Sequence, residues 1–347
     1  MRTFDYEKLK TQKWDNEIVF LLAKIRERKG REGFVLSQKP ALLRRLETIA
    51  KTDSIIASNA LEGIFVSPFR LKRLCGGKAL PKTPAEGQIY GYGRVLNEIQ
   101  DRYGEIPIKV SYLLGLHREL FAGCDGACGG QLKNRQNYIS EARTDGRAFV
   151  RFMPLSPYET PEAMFSLCAS FQRALDGGEI DPLLLVPVFV NDFLCIYPFD
   201  RGNNELSRLL TVLLLLKIGC SAVRYISLDK KIEATKEEYY EALNESMKGW
   251  HENAEDASPL IKYLLKTVLS AYEELEEKIS SSREKLPALE IVRKAAMSMR
   301  GRFTKTELLG LCHSLGKASV ENALKKLLED GYILRYGSGK NTYYTKR

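Results

Sequence analysis

Histidine is scarce in this chain. There are three in 347 residues, His117, His251 and His313, and none is placed to complete a zinc site. Cys124 and Cys128 enclose Asp-Gly-Ala and come nearest to a metal pair, but no second cysteine pair lies near them, which argues against zinc. The seven cysteines are an odd number and scattered, and Cys168, Cys195 and Cys220 sit in apolar runs. That pattern fits reduced structural thiols. Long charge-free apolar runs are also lacking: Leu209 to Leu216 is too short to span a bilayer, and Lys217 follows it. The start, Met1 to Lys8, has no apolar stretch of the signal-peptide kind. A cytoplasmic location with no membrane partner is expected.

The length allows a sizeable core and more than one domain, and an apolar fraction of 44% is that of a soluble protein. The net charge of +9 is unevenly spread. From Ser281 to Arg347 there are 14 Lys and Arg against 6 Asp and Glu, so nearly all the excess sits at the C-terminal end. Such a footprint suits a nucleic-acid module, with an ordinary solvated basic surface as the alternative.

Helical periodicity dominates. Tyr6 to Arg28 has Trp14, Ile18, Leu21, Leu22 and Ile25 on one face, with Gly30 and Gly33 as its stop. Pro40 to Gly63 keeps a stripe of Leu42, Leu46, Ile49, Ile56 and Ala60. Helices are also expected over 68–80, 86–103, 110–121, 156–174, 227–248 and 258–278, with Ser280 to Ser282 as a hinge. His117, among leucines, reads as a hydrogen-bonded core residue rather than a catalytic one. Asn137 to Ser140 and Arg147 to Phe152 read as two short strands around the turn signal Thr144-Asp145-Gly146.

The organising stretch runs from Phe189 to Leu210. An apolar helix begins after the N-cap pair Asp181-Pro182, a short polar loop with one glycine follows, and a second apolar helix points its free N–H groups at that loop. The loop reads Tyr197-Pro198-Phe199-Asp200-Arg201-Gly202-Asn203-Asn204-Glu205-Leu206-Ser207-Arg208. It resembles the signature of the Fic (Fic/Doc) family, His-Pro-Phe-x-Asp/Glu-Gly-Asn-Gly-Arg-x-x-Arg, whose active members move AMP from ATP to a protein hydroxyl. Pro198, Phe199, Gly202, Asn203 and Arg208 match. Tyr197 stands at the position of the family's base, Arg201 at that of its metal-binding carboxylate, Asn204 at the second glycine and Glu205 at the first arginine.

The resemblance implies more. Ser58-Asn-Ala-Leu-Glu62-Gly63 resembles the family's inhibitory motif, Ser/Thr-x-x-x-Glu-Gly/Asn, in which the glutamate pairs with the second signature arginine, here Arg208. Ser58 and Glu62 lie one turn apart on one helix face. The strand pair resembles the family's flap, which would hold an extended protein target as an added strand along Tyr138, Ile139, Phe149 and Val150. Gly202, Asn203, Asn204 and Arg208 would be the nucleotide or anion site.

The substitutions fall on the chemistry. A tyrosine with an ordinary pKa of about 10 is a poor base where an imidazole would serve. Arg201 repels magnesium, which wants carboxylate oxygens. Glu205 suits the helix dipole but opposes a bound phosphate. Arg201 and Glu205 exchange the family's signs four residues apart, so a swapped ion pair that keeps the loop's shape is expected, with Arg201 on a phosphate as the alternative. No metal ligand is assigned, and ATP and magnesium would be the cofactors only if the family activity survives.

Beyond residue 286, helices over 289–298, 304–311 and 319–329 precede a hairpin with a Gly-Ser-Gly tip. The order resembles a winged helix-turn-helix domain. Its reading helix would carry Lys317, Ser319, Asn322, Lys325 and Lys326, and its wing Arg335 and Lys340. Winged helices also serve as protein-binding modules. The expected architecture is therefore mainly α: an N-terminal helical region over 1–105, a Fic-like helical core with a β-hairpin flap over 106–280, and a winged helix over 286–347. The expected function is that of a catalytically degenerate regulator binding DNA or protein. The alternative is a protein adenylyltransferase working by altered chemistry, and a purely structural adaptor is the third reading. Expected partners are DNA, a protein target at the flap, and a second copy in a homodimer.

Overall fold

The computed structural model describes residues 2–37, 39–76, 78–124, 129–142, 148–282, 287–299, 301–312, 315–339 and 342–346. The turn signal Thr144-Asp145-Gly146 and Lys340 lie outside them. The described residues are mainly helical and divide into two compact units: residues 1–33 with 43–278, and residues 34–42 with 279–347. No described helix is long and apolar enough to cross a membrane.

The chain opens with α1 (Lys8–Thr11) and α2 (Asn16–Ser37). The expected single helix is thus broken near Asp15, whose carboxylate accepts from the N–H of Ile18 at 3.0 Å and starts α2. Nor does α2 stop at Gly30 or Gly33. A glycine inside a helix costs only about 1 kcal/mol, and Ile18, Leu21 and Ile25 are buried. Then come α3 (Pro40–Leu61), α4 (Pro68–Cys75), α5 (Pro84–Arg102) and α6 (Val110–Leu120). The helix expected over 68–80 ends five residues early, at Gly76, whose N–H bonds back to the carbonyl of Lys72 at 3.1 Å. Helices α5 and α6 pack together, and the C-terminal end of α6 closes to backbone distance. A Cβ on Gly91 would sit 1.9 Å from the carbonyl oxygen of Leu120, so only glycine fits there.

A hairpin follows, β1 (Ile139–Ala142) and β2 (Ala148–Phe152), antiparallel with Ser140 opposite Val150 and a bulge between Ile139 and Ser140. Its base is anchored where Phe152 stacks on His251, which bonds to the carbonyl of Met153 at 2.8 Å. Next come α7 (Thr160–Gly177), α8 (Pro182–Ile196) and α9 (Asn203–Lys217). Every residue of α8 from Leu183 to Ile196 is buried, and α8 packs against both α7 and α9. Such an all-round apolar helix belongs at the centre of a core. After α10 (Ala222–Tyr225), the helix expected over 227–248 is two, α11 (Leu228–Ala234) and α12 (Lys236–Met247), separated at Thr235. The Thr235 hydroxyl donates back to the carbonyl of Lys231 at 3.0 Å, which stabilises the break. Helix α13 (Ser258–Ser281) runs through two of the three serines expected to be a hinge.

The second unit contains α14 (Ala288–Ser298), α15 (Lys305–Leu311), α16 (Lys317–Glu329), β3 (Ile333–Tyr336) and β4 (Tyr343–Lys346). Thr304 and Glu307 form the capping box expected at the start of α15. Strands β3 and β4 pair antiparallel, and Phe303 adds a bridge to Tyr344. Val292, Ala296, Phe303, Leu308, Val320, Leu324, Leu327 and Ile333 form its own apolar core.

Candidate functional site

The loop between α8 and α9 is built by two left-handed residues. Tyr197 caps α8 at φ 51° and donates its N–H to the carbonyl of Phe193 at 2.9 Å. Gly202 caps the start of α9 at φ 80°. Directly after Gly202, Asn203 closes the turn on itself. Its Oδ1 accepts from the N–H of Phe199 at 3.0 Å, and its Nδ2 donates to the carbonyl of Phe199 at 2.7 Å. Asn137 donates to the same carbonyl at 2.8 Å, and the N–H of Lys133 donates to the carbonyl of Pro198 at 2.8 Å. Lys133 also extends its buried amine to the carbonyl of Ile196 at 2.9 Å, at the negative end of α8. Burial brings its pKa down to about 8.

His117 holds this loop from α6. It is 1% exposed and stacks on Phe199 at a centroid distance of 3.7 Å. Its Nδ1 accepts from the N–H of Gly130 at 2.9 Å, which places the proton on Nε2, and Nε2 donates to the carbonyl of Arg201 at 3.0 Å. Both nitrogens are engaged, so His117 is a structural, hydrogen-bonded core histidine. Burial pushes its pKa down to about 4. The unfolded chain protonates near 6.5, so it holds the extra proton between these values. The stabilisation is complete above about pH 6.5 and disappears as the pH falls towards 4, amounting to roughly 3 kcal/mol. Thermal melts at pH 7 and pH 5 should show a drop for the parent that is visibly smaller for His117→Gln; equal drops would refute this assignment.

Arg208 is the centre of charge. It is 2% exposed on α9, and Nε donates to Ser58 Oγ at 2.8 Å. Nη2 donates to the carbonyl of Ser58 at 3.1 Å and to Glu62 Oε1 at 2.8 Å. Glu62, 19% exposed, also accepts from Asn204 at 3.4 Å. The expected Glu62–Arg208 contact is therefore made, with Ser58 as a third member. A second carboxylate, unforeseen from the sequence, completes the group. Asp229 on α11 lies 3.7 Å from Arg208 Nε, is 1% exposed, and accepts from the hydroxyl of Tyr92 at 2.9 Å. Burial disfavours the charge of Arg208, but Glu62, Tyr92, Asp229 and Glu205 outweigh it, and its pKa is raised.

The substituted positions behave differently. Burial, helped by the charges of Glu62 and Glu205, pushes the Tyr197 phenol up to about 12. Glu205 is buried, and its pKa is raised by that burial and by the charge of Glu62. The expected swapped pair is not formed: among the described residues no ion pair joins Arg201 to Glu205. Arg201 lies over the ring of Phe121, 4.6 Å from its centroid. Magnesium does not fit this donor set. Arg201 occupies the carboxylate position, and its guanidinium repels a divalent cation that wants carboxylate oxygens.

On the hairpin, Tyr138 and Val150 are exposed at 56% and 55%, Phe149 is exposed, and Ile139 is half-buried. In the second unit, Lys317, Asn322, Lys325 and Lys326 are exposed on α16, Ser319 is half-buried, and Arg335 is exposed on β3.

Residues 107–215 match the model of the Fic/DOC family. Protein adenylyltransferase fic-1 of Caenorhabditis elegans is 24% identical over 159 residues, 46% of this chain; the match spans about a quarter, 27%, of that relative's length. Among solved structures, a Fic family protein from Desulfovibrio desulfuricans G20 superposes with a TM-score of 0.62 at 20% identity, covering 97% of each chain. A Fic domain containing signaling protein from Bacteroides thetaiotaomicron gives 0.62 at 22% identity, covering 78% of this chain and 100% of that one.

Proposed function

Residues 107–215 form a Fic/DOC family domain, and from that premise we propose that the chain is a pseudoenzyme, a regulator that keeps the Fic fold without magnesium-dependent AMP transfer. The observation that carries this reading is Tyr197. At the position of the family's base it presents a phenol held near pKa 12, which at neutral pH neither accepts a proton nor ionises. The surroundings agree. Arg208, the matched phosphate-binding arginine, is engaged by Ser58 and Glu62, and Glu205 places a carboxyl in the first turn of α9.

The similarity to an adenylyltransferase favours a second reading, a self-inhibited enzyme closed by Glu62. One variant separates the two. Under the pseudoenzyme reading, Glu62→Gly incubated with labelled ATP, magnesium and a cell lysate labels no protein band. A band that appears in Glu62→Gly and disappears when Tyr197→Phe is added would establish the enzyme. Calorimetry with ATP, with and without magnesium, asks the same question of binding.

The second unit supports a DNA-binding role, with its three helices, hairpin and bridging Phe303 read as a winged helix. Lys325 and Lys326 would meet phosphates from α16, and Arg335 would meet them from the wing. Anisotropy of the full chain with a labelled duplex should show affinity falling steeply with salt. In Lys325→Glu/Lys326→Glu the slope of log affinity against log salt should decrease by about 2. An unchanged slope, or no binding at low salt, would leave the unit a protein-binding module. The hairpin is assigned, on the same footing, to a protein target.

A further inference from the structure

The stretch directly after Glu62 carries five cations, Arg70, Lys72, Arg73, Lys78 and Lys82, with no Asp or Glu before Glu86. In the same stretch Phe65, Phe69 and Leu80 are 73%, 72% and 74% exposed, although each is large and apolar. Local hydrogen bonds tie part of this stretch together. Arg70 donates to both carboxylate oxygens of Glu86, at 2.6 and 2.7 Å, and to the carbonyl of Leu80 at 2.5 Å, which folds the loop back beside α4. Arg73 donates to the carbonyl of Lys78 at 3.2 Å and lies 5.8 Å from the centroid of the Phe69 ring. Leu74 is the buried anchor of the helix, at 4% exposure. The result is a short helix and loop that offers apolar side chains between lysines and arginines.

We propose that this surface docks on an anionic phospholipid bilayer. Cations around protruding Phe and Leu side chains match the chemistry of an interfacial element: the charges meet the headgroups and the apolar groups enter the acyl boundary. A second copy is a poorer occupant, because a two-fold contact would set this patch against its own charge. Single-stranded nucleic acid would stack on the phenylalanines and leave Leu80 without a partner. Since no described helix crosses a membrane, the attachment is peripheral.

The test is co-sedimentation of the full chain with phosphatidylcholine vesicles and with vesicles in which about a third of the lipid is phosphatidylglycerol. Binding is expected only to the anionic vesicles, and weaker at high salt. Phe65→Ser/Phe69→Ser/Leu80→Ser and, separately, Lys72→Glu/Arg73→Glu should each weaken it by about tenfold or more. All these positions are at the surface, so unchanged melting temperatures should show that the variants are folded. Four results would overturn the proposal: no binding to anionic vesicles, equal binding to neutral ones, binding that survives either variant, or a parent dimer that the apolar variant dissolves without lipid. A single-stranded oligonucleotide that binds the parent and loses affinity in both variants would reassign the patch to nucleic acid.

Discussion

Arg208→Met is expected to lower the melting temperature by roughly 5–15 °C. The methionine keeps most of the volume but removes the cation that Glu62 and Asp229 face from two sides. Asp229 is buried, and with Arg208 gone it would keep the hydroxyls of Tyr92 and Ser54 but lose the cation beside it. Stranding one member of a buried charge group costs about 3–5 kcal/mol. The reverse change is milder. In Glu62→Gly the guanidinium keeps Asp229 and both oxygens of Ser58, and Glu62 is partly open to water. That variant should therefore lose only a few degrees, with no gain of transfer activity. Asp229 thus acts as a reserve counter-ion, and Arg208→Met/Asp229→Asn should recover part of the loss of the single variant. Melts of the parent, Arg208→Met, Asp229→Asn and the double variant make a double-mutant cycle for this coupling. If Arg208→Met melts within about 2 °C of the parent, the group contributes little to folding and the arginine is there for a ligand.

The helical fold was legible because it rests on patterns within a few residues, whereas the Glu62–Arg208 contact, 146 residues apart in sequence, followed from the resemblance of both stretches to the Fic motifs. A stripe of leucines, an N-cap before a proline, or Ser58 and Glu62 one turn apart can be read without knowing the neighbours. Asp229 could not be read this way. Following Ser227 at the start of α11, it looks like an acidic residue placed for the helix dipole, and only the fold carries it to Arg208 and Tyr92. Lys133 was hidden for the same reason: a lysine before a hairpin reads as solvated surface until its amine is seen at the end of α8. For His117 the surrounding leucines imply a hydrogen-bonded core residue, and the structure gives it a specific task, bridging Gly130 and Arg201. The Arg201–Glu205 pair failed because four residues in sequence are not one helical turn here. Arg201 precedes Gly202, outside α9, and its side chain has Phe121 beside it.

Residues that match the family signature are those on which the loop's shape depends, and Gly202→Ala puts that to a test. An added Cβ would lie 2.7 and 2.8 Å from two ring carbons of Phe121 and 3.3 Å from His117 Nε2. Neither neighbour can retreat easily. Phe121 is 2% exposed, and His117 is fixed by hydrogen bonds at both nitrogens. The left-handed backbone adds a cost of about 1 kcal/mol, so a total loss of roughly 3 kcal/mol or more is expected, a fall of at least about 6 °C in melting temperature. Asn204→Gly, which restores the family's second glycine, should by contrast cost about 1 kcal/mol or less, since Asn204 gives only a 3.4 Å hydrogen bond to Glu62. A large loss for Gly202→Ala beside a small one for Asn204→Gly would mean that folding alone has held the matched positions while the catalytic ones drifted. If instead Gly202→Ala is tolerated within about 2 °C, the loop is compliant, and the glycine is kept for a group that must approach its backbone.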